Sequence, residues 1–214
     1  MRKSSRRAVL GALASMLWPS RILTQTLDVR LLGVEGEGAR YWSRWRGPSG
    51  QGLVAGSGYP DAWSATQNIL WKTPVPGRGN SSPVVWGDRI FLTAEYDGGR
   101  RLSVLAFRRA DGTRLWEVFA PAGRTGSAHF KNGHASATPM TDGERLYVSF
   151  GTRGLLALDL DGKLLWYRDI GPMNAYHGTA GSPLLYRDRI ILYQDSSDAF
   201  VGAFDTRTGA SIWR

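Results

Sequence analysis

The chain contains no cysteine. That excludes a disulfide scaffold, a thiolate zinc site, a cysteine nucleophile and a cysteine-linked lipid anchor. Histidine is scarce, with three in 214 residues, and none has H-E-x-x-H spacing, so no metal site is assigned. There is no G-x-S-x-G elbow for Ser-His-Asp catalysis. The glycines fall in turn-like contexts and not ahead of helices, so dinucleotide and P-loop signatures are missing as well. No stretch after the N-terminus approaches 18 apolar residues, and no transmembrane span is expected in the mature chain. Acidic residues are absent before Asp28, while Arg2, Lys3, Arg6 and Arg7 stand ahead of it. Without residues 1–20 the chain keeps 23 basic and 18 acidic residues. These are dispersed and form no Lys/Arg-rich block, which argues against a nucleic-acid partner.

Glycine and tryptophan are abundant instead. Glycine accounts for 27 residues and tryptophan for nine, against a usual glycine share of about 7%. Many glycines among many aromatics suggest short strands joined by turns. At the N-terminus, the basic run Arg2–Arg7 precedes ten apolar residues, Ala8–Leu17. That is the layout of an export signal and is too short to span a bilayer. Ser5-Arg6-Arg7-Ala8-Val9-Leu10 resembles a twin-arginine signal. Residues 1–20 are therefore read as an export signal, 21–40 as a linker, and 41–214 as the folded domain, with a periplasmic or secreted location.

The domain repeats itself. Ser82-Pro83-Val84-Val85-Trp86-Gly87-Asp88-Arg89-Ile90 returns as Thr138-Pro139 through Leu146, and again as Ser182-Pro183 through Ile190. A second block ends in tryptophan: Ala106–Trp116, Ala157–Trp166 and Ala203–Trp213. Trp71 matches only the end of that block. The block-ending tryptophans Trp71, Trp116, Trp166 and Trp213 are 45, 50 and 47 residues apart. Each unit reads as four short strands separated by turns at Gly87-Asp88, Asp97-Gly98-Gly99 and Asp111-Gly112, or their equivalents. Four strands at this period predict an all-β fold, a β-propeller of four-stranded antiparallel blades. About three blades are present, with one extra strand around Trp71. Trp71, Trp116, Trp166 and Trp213 are assigned to docking between blades, since a blade must bury its faces against its neighbours.

On these residues the chain resembles the pyrroloquinoline quinone (PQQ) repeat superfamily. Ala203-x-Asp205-x-x-Thr208-Gly209-x-x-x-Trp213 is similar to that family's tryptophan-docking motif. The other copies depart from it: Ala157–Trp166 is one residue shorter, and Arg108 stands where aspartate is expected. The prelude Trp42-x-x-Trp45-Arg46-Gly47-Pro48 is similar to the start of exported PQQ-binding-like proteins. The resemblance implies a propeller of seven or eight blades, so the chain is read as the N-terminal part of a longer protein, incomplete at its C-terminus. It implies either a binding or scaffold module of the bacterial envelope, or a periplasmic PQQ-dependent alcohol or sugar dehydrogenase. Under the second reading PQQ with calcium would be the cofactor, but none is assigned, because no calcium or catalytic residue of that family can be matched. The resemblance extends to outer-membrane assembly propeller lipoproteins, which bind partner proteins through loops.

Strand parity locates a candidate site. The links between blades and the links from second to third strand emerge on one face. That face collects segments 73–82, 119–138 and 168–182 and all three histidines. Arg78 and His134 each lie five residues before a strand-opening proline, and His177 six. Arg78, His134 and His177 are therefore expected at the channel mouth, with Lys131, Asn132 and Asp195 on the same face. Segment 119–138 is long enough to act as a lid. Convergent donors favour a small anionic ligand or a carboxylate of an envelope partner protein. If the paired arginines direct export, Arg6→Lys with Arg7→Lys keeps the charge but loses the guanidinium pair. Cell fractionation should then find the double variant retained in the cytoplasm. Continued periplasmic delivery would assign the general secretory route.

Overall fold

Runs such as Arg89-Ile-Phe-Leu-Thr-Ala-Glu-Tyr96 are rich in β-branched and aromatic residues, and this one is cut off at Asp97, whose φ is +54°. In the computed structural model these runs form twelve strands in three separate antiparallel sheets. The structure describes residues 34–54, 56–195 and 199–214. The export signal, residues 21–33 of the linker and Asp198 of the third blade's tip lie outside these. Blade 1 comprises β1 (Val84–Trp86), β2 (Arg89–Tyr96), β3 (Arg101–Arg108) and β4 (Arg114–Phe119). Blade 2 comprises β5 (Met140–Thr141), β6 (Arg145–Ser149), β7 (Leu155–Asp159) and β8 (Leu164–Arg168). Blade 3 comprises β9 (Leu184–Tyr186), β10 (Arg189–Gln194), β11 (Phe200–Asp205) and β12 (Ser211–Trp213). Strands pair in sequence order within each sheet. Among the described residues no helix is long and apolar enough to cross a membrane.

The blades are propeller blades, and they stack through their side-chain layers. One face of blade 1 offers Val84, Phe91, Val104 and Ala106 to Leu146, Val148, Leu156 and Leu158 of blade 2. The opposite face of blade 2 offers Met140, Tyr147, Ala157 and Trp166 to Ile190, Leu192 and Phe204 of blade 3. All of these side chains are buried. Register makes Phe91, Tyr147 and Ile191 equivalent, as it does Trp116, Trp166 and Trp213. The face of blade 3 that carries Ile191 leaves Leu184, Tyr193, Val201 and Trp213 between 42% and 54% exposed.

Each interface has the same lock. The Trp71 indole Nε1 donates to Arg109 O at 2.9 Å, Trp116 to Leu160 O at 3.1 Å and Trp166 to Thr206 O at 3.0 Å. Each ring lies over a turn glycine with φ of +68° to +90°: Gly112, Gly162 and Gly209 respectively. A Cβ on these glycines would come 2.5–2.9 Å from the indole, so only glycine meets both the φ and the approach. The turns themselves are fixed by aspartate. Asp205 Oδ1 accepts from the Arg207 and Thr208 amides and the Thr208 hydroxyl, and Asp159 Oδ1 accepts from the Asp161 and Lys163 amides. In blade 1, where Arg108 replaces that aspartate, Asp111 does the work. It accepts from Thr113 N at 2.9 Å and from Arg108 Nη1 at 3.0 Å, and these bonds hold its carboxyl down at about 2.

Two local expectations change. Residues 71–76 join no ladder, so the extra strand around Trp71 does not form. A strand needs a neighbour to hydrogen-bond along its main chain, and residues 71–76 form no bridge with another described residue. The docking of Trp71 survives without it. The prelude, meanwhile, is more than an approach to the domain. Trp42 O accepts from Val85 N at 2.8 Å, and Ser43 O accepts from Thr141 N at 2.9 Å. Val85 and Thr141 are equivalent residues of β1 and β5, the edge strands of blades 1 and 2. Consecutive carbonyls of one arm thus cap the same position in successive blades. Arg44 then turns the arm back on itself through Gly47 O and Pro48 O. Residues Gly36–Arg40, within the stretch read as linker, form a 3-10 turn whose Gly38 is buried beside Trp86.

Trp166 is 8% exposed and holds blades 2 and 3 together. Trp166→Ala is expected to cost about 3–5 kcal/mol in denaturant unfolding. Gly209→Val should be severely destabilising too, through the same contact approached from the other side.

Candidate functional site

The loop face is built from a rim outward. Ser82, Thr138 and Ser182 each precede a strand-opening proline. Ser82 N donates to Thr138 Oγ1 at 3.0 Å, and Thr138 N donates to Ser182 Oγ at 3.0 Å. Each blade entry therefore hangs on the hydroxyl of the next. Proline has no amide to offer, so the residue before it supplies the donor.

Above the rim, segment 119–138 is fastened at two points. The first is Arg153, 3% exposed, at the Gly151–Arg153 tip of blade 2. Its Nε donates to Arg124 O at 2.8 Å and its Nη1 to Pro121 O at 3.3 Å. Its Nη2 faces Gly99 O, Arg100 O and Thr125 Oγ1 at 3.1–3.2 Å. The planar fork thus ties the lid-like segment to the tips of blades 1 and 2. Tyr167 Oη donates to Arg153 O at 2.6 Å, and burial, together with Asp169, pushes that phenol up. Sequence reasoning missed Arg153. Its only signal was an arginine between two glycines at a strand-to-strand tip.

The second fastening is His134. Its backbone amide and Nδ1 both meet Glu95 Oε2, at 2.6 and 2.8 Å, and Nε2 faces Gly126 O at 2.9 Å. Gly99 passes under the ring so closely that no Cβ would fit there. Glu95 is 6% exposed, at the end of β2. A cavity of about 10 Å3, room for a single water, lies between Gly99, His134, Thr152 and Arg153. His134 is thus engaged on both ring nitrogens and does not project into open space.

The remaining candidates divide. Arg78, Lys131, Asn132 and His177 come together. Asn132 Nδ2 donates to His177 O at 2.7 Å, and its Oδ1 accepts from Asn80 Nδ2 at 3.4 Å and from the Ser136 hydroxyl. Arg78 Nη2 donates to Phe130 O at 3.4 Å, and the Arg78 and Glu95 backbones bridge to each other. Around them the His129, Phe130, Tyr176 and His177 rings cluster, with centroids 4.4–6.1 Å apart. Lys131 Nζ lies 5.7 Å from the Phe130 centroid. Asp195 stands apart, exposed at the end of β10, in the register position that Glu95 holds in blade 1. Among the described residues no three His, Asp or Glu side chains converge as a metal cage requires.

Arg153→Met removes five donors without shortening the side chain much. It should lower stability by about 2 kcal/mol through carbonyls left unsatisfied, and amide exchange across residues 121–126 should rise. Arg153→Lys should not rescue it, since one ammonium cannot span the same fork.

A family model described as outer membrane protein assembly factor BamB matches residues 35–130 and again residues 123–214. No curated protein matches. Among solved structures, quinohemoprotein alcohol dehydrogenase from Comamonas testosteroni is similar, with 22% identity and a TM-score of 0.50, over 64% of this chain and 21% of that one. A europium-containing methanol dehydrogenase shows 20% identity and a TM-score of 0.49, over 71% of this chain and 26% of that one. BamB from Moraxella catarrhalis shows 16% identity and a TM-score of 0.35, over 67% of this chain and 54% of that one. The chain spans about a quarter or less of the length of these dehydrogenases and about half that of the BamB structure. The match to the Comamonas enzyme shows the fold alone. The doubled family match, covering almost every described residue and falling on the repeating blades with their tryptophan–glycine locks, places the chain in the PQQ-repeat family of outer membrane protein assembly factor BamB.

Proposed function

We propose that this chain is an exported binding module of the bacterial envelope that receives a partner on its loop face. One observation carries the reading. Two consecutive inter-blade segments are bonded to each other and hold Phe130 and Tyr176 out of the body, 75% and 80% exposed. Rings held out in solvent by a fixed scaffold are a feature of recognition surfaces. Membership of the BamB family supports an envelope role and protein partners. The site would consist of Arg78, Lys131, Asn132 and His177, with His134 fastening the segment that carries them.

The donor set on the loop face does not favour the dehydrogenase reading. PQQ with calcium would need carboxylates and amides converging on one point. Glu95 is committed to His134, and among the described residues no three His, Asp or Glu side chains converge around it or around Asp195. The described residues do not fit that group, and no reaction step is derived from it.

Three measurements check the proposal. Fractionation should find the mature chain in the envelope, and a photo-crosslinking residue at position 176 should capture a partner there that the same residue at position 161 does not. Reconstitution with PQQ and calcium should give no dye-linked alcohol or sugar oxidation. Turnover in that assay would replace the binding module with a quinoprotein oxidoreductase.

A further inference from the structure

The exposed rings do not stand alone. A groove of about 380 Å3 runs between residues 75–81 and Leu92–Ala94 on the neighbouring strand. Its lining mixes apolar residues (Val75, Leu92, Ala94) with polar ones, and two of its lining residues, Gly77 and Gly79, have no side chain to fill it. It is tied to the ring cluster at two points: Arg78 lines the groove and reaches Phe130 O, and Asn80 lines it and reaches Asn132 Oδ1. Groove and rings therefore form one continuous track across the first two inter-blade segments.

The track is cationic. Arg78 and Lys131 are both exposed, and neither forms an ion pair with another described residue. The carboxylate of Glu95, whose backbone bridges to Arg78, is buried and accepts from the His134 amide and ring. An occupant thus meets two uncompensated cations beside an apolar surface, and carboxylates in it would find partners that the protein itself does not supply. The rings are pre-set. Asn132 to His177 O, Ser127 Oγ to Ala175 O and the Asn132 and Gly178 backbone turns hold both loops before anything binds. That lowers the ordering cost of association.

We infer that this track docks an extended acidic peptide segment of a partner protein, with an aromatic or aliphatic side chain of that segment seated against Phe130 and Tyr176. The inference rests on the binding-module reading and names the partner's chemistry. Single-stranded nucleic acid also combines anions with stacking rings, but it would need cations at phosphate spacing along a strand. Arg78 and Lys131 lie at separate points of the track, on different inter-blade segments, and form no such row.

Fluorescence anisotropy on the full chain tests this with three labelled hexapeptides, DEDFDE, DEDADE and KRKFKR, and with oligo(dT). DEDFDE should bind, more weakly as salt rises. DEDADE should bind several-fold less well, and KRKFKR and oligo(dT) should not bind. Phe130→Ala with Tyr176→Ala should weaken DEDFDE binding by about tenfold or more. Lys131→Glu, at an exposed side chain, should do the same without shifting the melting temperature. Arg78→Gln should flatten the salt dependence. Preference for KRKFKR or oligo(dT), no binding of DEDFDE, or unchanged binding by the ring and Lys131 variants would overturn the inference. If position 176 captures an envelope partner while DEDFDE does not bind, the binding module stands and the acidic-peptide class falls. If DEDFDE binds as described and no partner is captured, the docking chemistry stands and the envelope reading falls.

Discussion

An indole laid flat on a left-handed glycine, with its N–H on a carbonyl two or three residues before that glycine, is the contact from which the rest of this structure follows. It fixes three things together: the distance between two sheets, their rotation, and the register in which their side-chain layers meet. Trp116 brings blade 1 to Gly162 and Leu160 of blade 2, and Trp166 repeats the operation on Gly209 and Thr206. Once that geometry is set, Phe91 and Tyr147 fall into equivalent layers, and the hydrophobic faces close without further instruction. Stability in such an array is close to a sum of nearest-neighbour interfaces, so each lock acts on its own two blades.

The loop face inherits its order from these locks. Because the blades are related by one repeated operation, their inter-blade segments arrive side by side. Few additional bonds are then needed to fasten them. Arg153 is instructive, since a buried guanidinium usually demands a carboxylate. Here the carbonyls of Gly99, Arg100, Pro121 and Arg124 solvate it instead. A side chain that collects carbonyls from several segments works as a pin. The Glu95–His134 pair does the same from the other side.

Much of the architecture is legible in the amino-acid sequence, because it is written in repeated local signals. The Ser/Thr-Pro openings, the Asp-Gly turns and the terminal tryptophans each reappear at one period, and four strands per blade form between the expected turns. Strand parity places the three inter-blade segments on one face, where Asn80, Asn132 and His177 meet. What could not be read depends on pairs far apart in sequence. Nothing near His134 announces that Glu95, 39 residues earlier, holds it. Arg153 sits in a tip with no period of its own. Trp71 carries the docking signal without the ladder that would make its neighbours a strand. The arm from Tyr41 to Pro48 acts through main-chain carbonyls at Trp42 and Ser43, which no side-chain pattern can betray.

The carbonyl that receives each indole belongs to Arg109, Leu160 and Thr206 in turn. A long cation, a branched hydrocarbon and a small alcohol do the same work, because only their peptide oxygen takes part. The hydrogen bond itself therefore tolerates mutation at this position. Of the three side chains, that of Arg109 is exposed, while Leu160 packs against the core between blades 1 and 2 and Thr206 is buried, so each is fitted to its own turn and not to the lock. A fold whose joints are specified by main chain on one side and by a single ring on the other can diversify its rim while keeping its frame. Two blades that have lost all resemblance elsewhere will still fit one against the other.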